Sequence, residues 1–311
     1  MRLFLRLCED DPQIVAIMKT LISLSHPVQA AIGGSRSAFF TWLAVGATCL
    51  LLPGTQASVL FEDGFDYTPG GQLAGQGTWL NSAPLIKVGG GNISYPGLAD
   101  VSPLGYDVSV NGQNATNATY SSSLFNSSVS SGEVYASFVL DLTKSAGNYI
   151  FMGMLPSAGN GGNFNNTYDP CDIVTKTVTG TGSRYYTLGI KSIGQMATYG
   201  SQLETNSVNL VVVKYDLDDK TASLFVNPDL SAGEPATAYA TSIGTNSVAD
   251  MGQIYFRISG ANHSNLLFDN LRVGTTWTEV LPVPEPTSVS LIGLGVIGLG
   301  LTRRMRRQEL D

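Results

Sequence analysis

Asp216, Asp218 and Asp219 place three carboxylates within four residues, and an oxygen-rich loop of that kind suits Ca²⁺, a hard cation that takes carboxylate and carbonyl ligands. The same spacing also suits a tight hairpin turn, in which Asp side chains accept from nearby backbone amides and keep the edge soluble. The turn is the expectation here, with Ca²⁺ as its alternative and no other cofactor or metal implied. Hydrolysis of a glycosidic bond would need two carboxylates facing one cleft, about 5 Å apart for a retaining reaction. Glu62 and Asp63 are adjacent and would point to opposite faces of a strand, and Glu133 and Asp141 stand eight residues apart at the two ends of one. His263 is the only histidine after Ala57, and it lies in a turn-like stretch, Gly260 to Asn265, without a nucleophile-elbow motif. No catalytic residue is therefore assigned, and the expectation is a protein that is not an enzyme.

The elements that would position any such chemistry lie between two apolar ends. At the C-terminus, Pro284 and Pro286 lack amide protons and push Val283 and Glu285 toward extended conformations, so no helix runs back through them. Thr287 to Leu301 then carries no charge; these 15 residues would rise roughly 22 Å as a helix, short of the ~30 Å hydrocarbon core. Taken as a transmembrane helix over 287–302, it would need help from its flanks. Arg303, Arg304, Arg306 and Arg307 follow at once and hold that end cytoplasmic by the positive-inside bias, leaving the body of the chain outside.

A Pro-Glu-Pro motif at 283–286, an apolar helix and a basic tail at 303–311 together resemble the PEP-CTERM sorting signal of Gram-negative bacteria. The resemblance implies recognition by an exosortase, cutting near Glu285, and delivery to the cell envelope or extracellular polymer. An uncut tail anchor is the alternative reading.

At the other end, Ala38 to Leu52 is an apolar run preceded by Arg36, and Thr55 and Ala57 supply the small residues of a signal-peptidase site, with cleavage expected after Ala57. Residues 1–57 thus read as leader and signal peptide. The acidic Glu9, Asp10 and Asp11 do not suit an n-region, and Met18 reads as the true start.

Between these ends, residues 58–282 are enough for one all-β domain. From Ser58 to Pro286 there are 19 Asp and Glu against nine Lys and Arg, a formal charge of −10, which argues against nucleic-acid binding. Cys171 is the one cysteine in that span; no intramolecular disulfide can form there, and a buried small hydrophobe is expected, with a reactive or dimer-forming thiol as the alternative.

Runs rich in Val, Ile, Tyr, Phe and Thr predict strands at Val59–Glu62, Val134–Leu142, Tyr149–Leu155, Tyr185–Ile190, Val208–Leu217, Thr221–Val226, Gln253–Ile258 and Leu266–Val273. No amphipathic helix competes with them. Leu210 to Asp216 and Thr221 to Val226 read as a hairpin turning at Leu217 to Lys220. The Ser/Thr/Asn-rich tract from Asn111 to Ser131 reads as a flexible, decorated loop, and Asn163 to Asp172 as a second plain loop. Aromatic candidates for sugar contact are Trp79, Tyr95, Tyr106, Tyr168, Tyr199 and Trp277, each read as core or rim.

Many strands without helices predict an antiparallel β-sandwich or jelly roll. The phrases Phe61 to Tyr67, Val212 to Asp216, Leu224 to Asp229 and Phe268 to Trp277 resemble secreted jelly-roll domains of the concanavalin A-like lectin/glucanase class. The resemblance implies that Phe61–Phe65 and Phe268–Val273 close one sheet. It also implies an envelope or matrix protein, partnered by exosortase and signal peptidase, that binds extracellular polysaccharide or surface proteins without catalysis. A divergent polysaccharide-active enzyme of the same fold is the alternative.

Overall fold

The computed structural model describes residues 59–81, 83–102, 105–111, 119–158, 169–258 and 264–282. The expected signal-peptide site at Ala57, the motif Val283, Pro284, Glu285 and Pro286, the apolar segment 287–302, the arginines Arg303, Arg304, Arg306 and Arg307, and His263 and Tyr168 lie outside the described residues.

The described chain is an antiparallel sandwich of jelly-roll type. Its strands are β1 (Phe61–Asp63), β2 (Ile86–Val88), β3 (Val108–Asn111), β4 (Thr119–Val129), β5 (Glu133–Lys144), β6 (Asn148–Leu155) and β7 (Cys171–Thr177). They continue with β8 (Tyr185–Lys191), β9 (Thr198–Glu204), β10 (Val208–Asp216), β11 (Thr221–Val226), β12 (Ala240–Ile243), β13 (Met251–Ile258) and β14 (Asn265–Gly274), and one helical turn, α1 (Trp277–Val280), follows. One sheet runs β12-β11-β10-β5-β14-β3-β2, with β1 also paired to β14; the other runs β4-β13-β6-β7-β8-β9.

All eight expected strands form. The first and last pair as expected, Phe61 opposite Val273 and Asp63 opposite Leu271. The hairpin also forms, Val211 opposite Val226 through Asp216 opposite Thr221, and Lys220 takes φ 59° in its turn. The unbroken apolar run in β10 has a physical reason: Val211, Val213 and Tyr215 enter the core between the sheets, while Leu210 and Val212 are covered on the other face by Trp277, Val280 and Phe225. A strand buried on both faces loses the alternation of a half-wet one.

The core is aromatic. Trp79 stacks on Phe256 at 5.2 Å between ring centroids, and Phe256 meets Phe268 at 4.7 Å. Asp63 anchors the loop that delivers Trp79, accepting from Trp79 Nε1 (2.6 Å), the Tyr67 hydroxyl (2.7 Å) and the Phe65 amide (2.7 Å).

Two loop readings are corrected. Thr119–Val129, inside the tract read as a flexible loop, is an eleven-residue strand. Ser121 and Ser123 lie opposite Phe256 and Ile254 on the inward face and are buried. Small side chains there leave volume for the Trp79–Phe256 pair, and their hydroxyls find partners: Ser123 shares a hydrogen bond of 2.6 Å with Thr78. Cys171 and Asp172, placed at the end of a plain loop, instead open β7. Cys171 is a free, buried thiol in the core, as expected, and burial pushes its pKa up.

Candidate functional site

The two outer faces of the sandwich differ. Over the larger sheet, Trp277 packs edge-on against Phe225 (5.2 Å) and Tyr135 (6.2 Å), and Leu98, Val280 and Leu281 complete an apolar cover. The polar residues at its margin are consumed by a local network. Lys214 pairs with Glu133 and Glu234, and the Tyr135 hydroxyl lies 2.6 Å and 2.7 Å from the same two carboxylates.

The outer face of the six-stranded sheet carries the chemistry. Its side chains alternate with the core residues Ile254 and Phe256, Met152 and Met154, Cys171 and Ile173, and Leu188 and Ile190. The strand registers put Ser122, Tyr255, Gly153, Asp172 and Lys191 in one row across β4, β13, β6, β7 and β8. Tyr255 donates its hydroxyl to Asp172 across the strand between them. Gly153 makes this possible: a Cβ there would sit 2.7 Å from the Tyr255 ring and 2.6 Å from the Cys171 carbonyl. The neighbouring row repeats the device. Tyr199 of β9 lies over Gly189 of β8, where a Cβ would be 2.6 Å from its ring; its hydroxyl donates to Asn148 (2.6 Å), and Lys176 Nζ stands 5.0 Å over the ring. Arg257 pairs in register with Tyr120 at the far side of β13.

Asp172 is fully buried and Asp169 is 3% exposed. Lys191 Nζ approaches Asp172 at 4.0 Å, yet one oxygen of each carboxylate lacks a hydrogen-bond partner among the described residues. Burial raises both pKa values; Asp169 adds to the rise at Asp172, and Arg257 and Lys191 oppose it. A pair of buried carboxylates with unequal, raised pKa values is able to hold a proton, and such groups concentrate at functional sites.

The expected metal candidates behave as a turn. Asp216 accepts from the amides of Asp218 (2.9 Å) and Asp219 (3.0 Å), and Asp218 accepts from the Gly132 amide (3.1 Å). Among the described residues no group of three or more His, Cys, Asp or Glu side chains is arranged to hold a metal ion. Of the aromatic candidates, Trp79 is core, Trp277 covers the larger sheet and Tyr199 reaches the polar face. Asp172, Lys191, Tyr255 and Arg257 were not singled out from sequence. The available signal was a lone glycine inside each of two strand patterns, Gly153 and Gly189, which marks close approach of another group.

The chain matches none of the curated proteins. Similar solved structures include a sialidase (TM-score 0.46, 13% identity, 72% of this chain and 19% of that one). A non-specific endo-beta-1,3(4)-glucanase from family GH16 is also similar (TM-score 0.41, 10% identity, 72% and 92%), as is a lectin from Bauhinia forficata in complex with GalNAc (TM-score 0.36, 12% identity, 59% and 95%). This chain thus spans about a fifth of the sialidase's length. Residues 282–307 match the PEP-CTERM protein-sorting motif, so the chain carries a PEP-CTERM sorting signal, which implies an exosortase substrate that is exported to the envelope.

Proposed function

We propose that this is an exported, non-catalytic binding protein whose six-stranded sheet takes an extracellular polysaccharide, acidic rather than neutral, on its outer face. The observation that carries the reading is Tyr199, part-exposed and laid over Gly189 beside Lys176, Lys191 and Arg257, while the fully buried Tyr255 braces Asp172 beneath this face and does not itself meet ligand. An aromatic ring offers a flat apolar surface to a sugar ring, and flanking polar groups satisfy the hydroxyls. The charge distribution supports an anionic ligand. Four of the nine Lys and Arg between residues 59 and 282 (Lys176, Arg184, Lys191 and Arg257) belong to this layer, against four of the 18 carboxylates (Asp169, Asp172, Glu204 and Asp250). The layer is formally neutral, and the rest of the span carries −9, so a polyanion meets the least repulsion here. In the proposed course, signal peptidase and then exosortase release the body to the envelope or matrix.

Affinity electrophoresis of the secreted protein against polygalacturonate and a neutral glucan tests the reading. Retardation by the polyuronate that is lost in Tyr199→Ala and Lys191→Ala but kept in Asp218→Asn is expected. No retardation, or retardation indifferent to the first two substitutions, overturns it. A second reading, a divergent polysaccharide-active enzyme, is favoured by the Asp169 and Asp172 pair. Release of reducing ends from either polymer, abolished by Asp172→Asn, would establish it.

A further inference from the structure

The folded body and the sorting signal share a residue. Pro282 is the first residue of the sorting-motif match and the last described residue, and it is docked on the sandwich, its carbonyl accepting from the Ala99 amide at 3.0 Å. The segment leading to it is held throughout. Trp277 is wedged against Phe225 and Tyr135, and Val280 and Leu281 are buried beside them. Ser137 donates to the Val280 carbonyl, and Leu281 donates to the Trp277 carbonyl at 3.2 Å. Thr276 and Glu279 form a capping box in which the Glu279 carboxylate accepts from the amides of Thr275 (2.6 Å) and Thr276 (3.1 Å). No spacer separates this docked turn from Val283, Pro284, Glu285 and Pro286.

A cleft that cuts a peptide must take several residues in extended form, those before the cut included, and chain docked in a fold reaches such a cleft only through local opening. The apolar segment begins one residue beyond the motif, so an enzyme acting at the membrane surface has no free chain on the body side. We propose that the docked turn Trp277–Pro282 controls processing: the enzyme gains the motif only while this turn is open, so the folded sandwich delays its own release from the membrane. The proposal rests on the reading of residues 283–286 as a cleaved motif.

The test is a time course of precursor conversion in the native host, read by intact mass, for the full chain and three variants. One inserts six Gly and Ser residues between Pro282 and Val283; the others are Glu279→Ala, which removes the capping-box carboxylate while leaving the Thr276 cap, and Glu279→Gln, which keeps a side-chain acceptor. Faster conversion of the insertion variant is expected. Glu279→Ala should convert about 5-fold faster, the effect on a local opening equilibrium of losing the Glu279 half of the capping box. Glu279→Gln should stay near the parent rate. Thermal melting of the secreted bodies checks that Glu279→Ala leaves the sandwich folded. Equal rates for parent and insertion variant, with both cut, overturn the gating while leaving the processing reading intact. If neither is cut, the processing reading fails and takes the proposal with it. If the insertion alone permits cutting, both stand.

Discussion

The Tyr255 hydroxyl reaches Asp172 across the bare backbone of Gly153, joining β13 to β7 over the strand that separates them. The contact joins packing in the six-stranded sheet to the protonation of its buried carboxylate.

Gly153→Ala tests that relationship. The added Cβ would lie 2.7 Å from the Tyr255 ring and 2.6 Å from the Cys171 carbonyl, and the carbonyl cannot move without disturbing the β6–β7 ladder. A loss of about 1–3 kcal/mol in urea unfolding is expected, the usual cost of overpacking. An unchanged midpoint would mean that the tyrosine does not lie across β6.

Stability should depend on pH in the direction opposite to that of an ordinary ion-paired carboxylate. Burial, with the nearby Asp169 charge, pushes Asp172 up to about 8; burial pushes Asp269 up to about 7, and Asp107 and Asp100 add to it. Between about pH 4 and these values the folded protein binds more protons than the unfolded chain, so stability falls as pH rises. Thermal melts from pH 4.5 to 8.5 should show the decline, and Asp172→Asn should flatten part of it by removing one titrating group. A melting temperature that rises across this range would contradict the assignment.

Trp79→Phe should destabilise by about 2 kcal/mol or more, because it removes the indole donor to Asp63 and leaves a void against Phe256. Chemical denaturation followed by the fluorescence of Trp277 checks this. A cost under about 0.5 kcal/mol would place the anchoring of the early loop in Tyr67 and the Phe65 amide instead.

At the hairpin, Asp216→Ala should cost about 1 kcal/mol through two lost amide contacts. Millimolar Ca²⁺ should leave the melting temperature of the parent unmoved. A rise of several degrees that vanishes in the variant would restore the ion-site alternative for Asp216, Asp218 and Asp219.

Much of the fold was legible because its signals are local. Runs rich in β-branched and aromatic residues such as Val134 to Leu142 marked strands, although the partial alternation there suggested one wetter face and the strand is buried on both; Leu217 to Lys220 marked a turn, and the order of prolines, apolar run and arginines marked the tail. Serine-rich β4 was not legible. Its strand state comes from pairing with β13 and from the bulk of Trp79 and Phe256, which make small side chains the right fit at Ser121 and Ser123.

The candidate site divides the same way. From residue types alone the sequence determined an all-β body, an acidic balance that disfavours nucleic acid, and a sorting address. It could not show that Asp172, written among loop-like residues, is buried on an outer face between Tyr255 and Lys191, nor that Gly153 and Gly189 are the positions those tyrosines cross. Strand order decided this: Asp172 and Tyr255, 83 residues apart in the chain, become neighbours only once β13, β6 and β7 are paired, and burial belongs to that pairing rather than to any single segment.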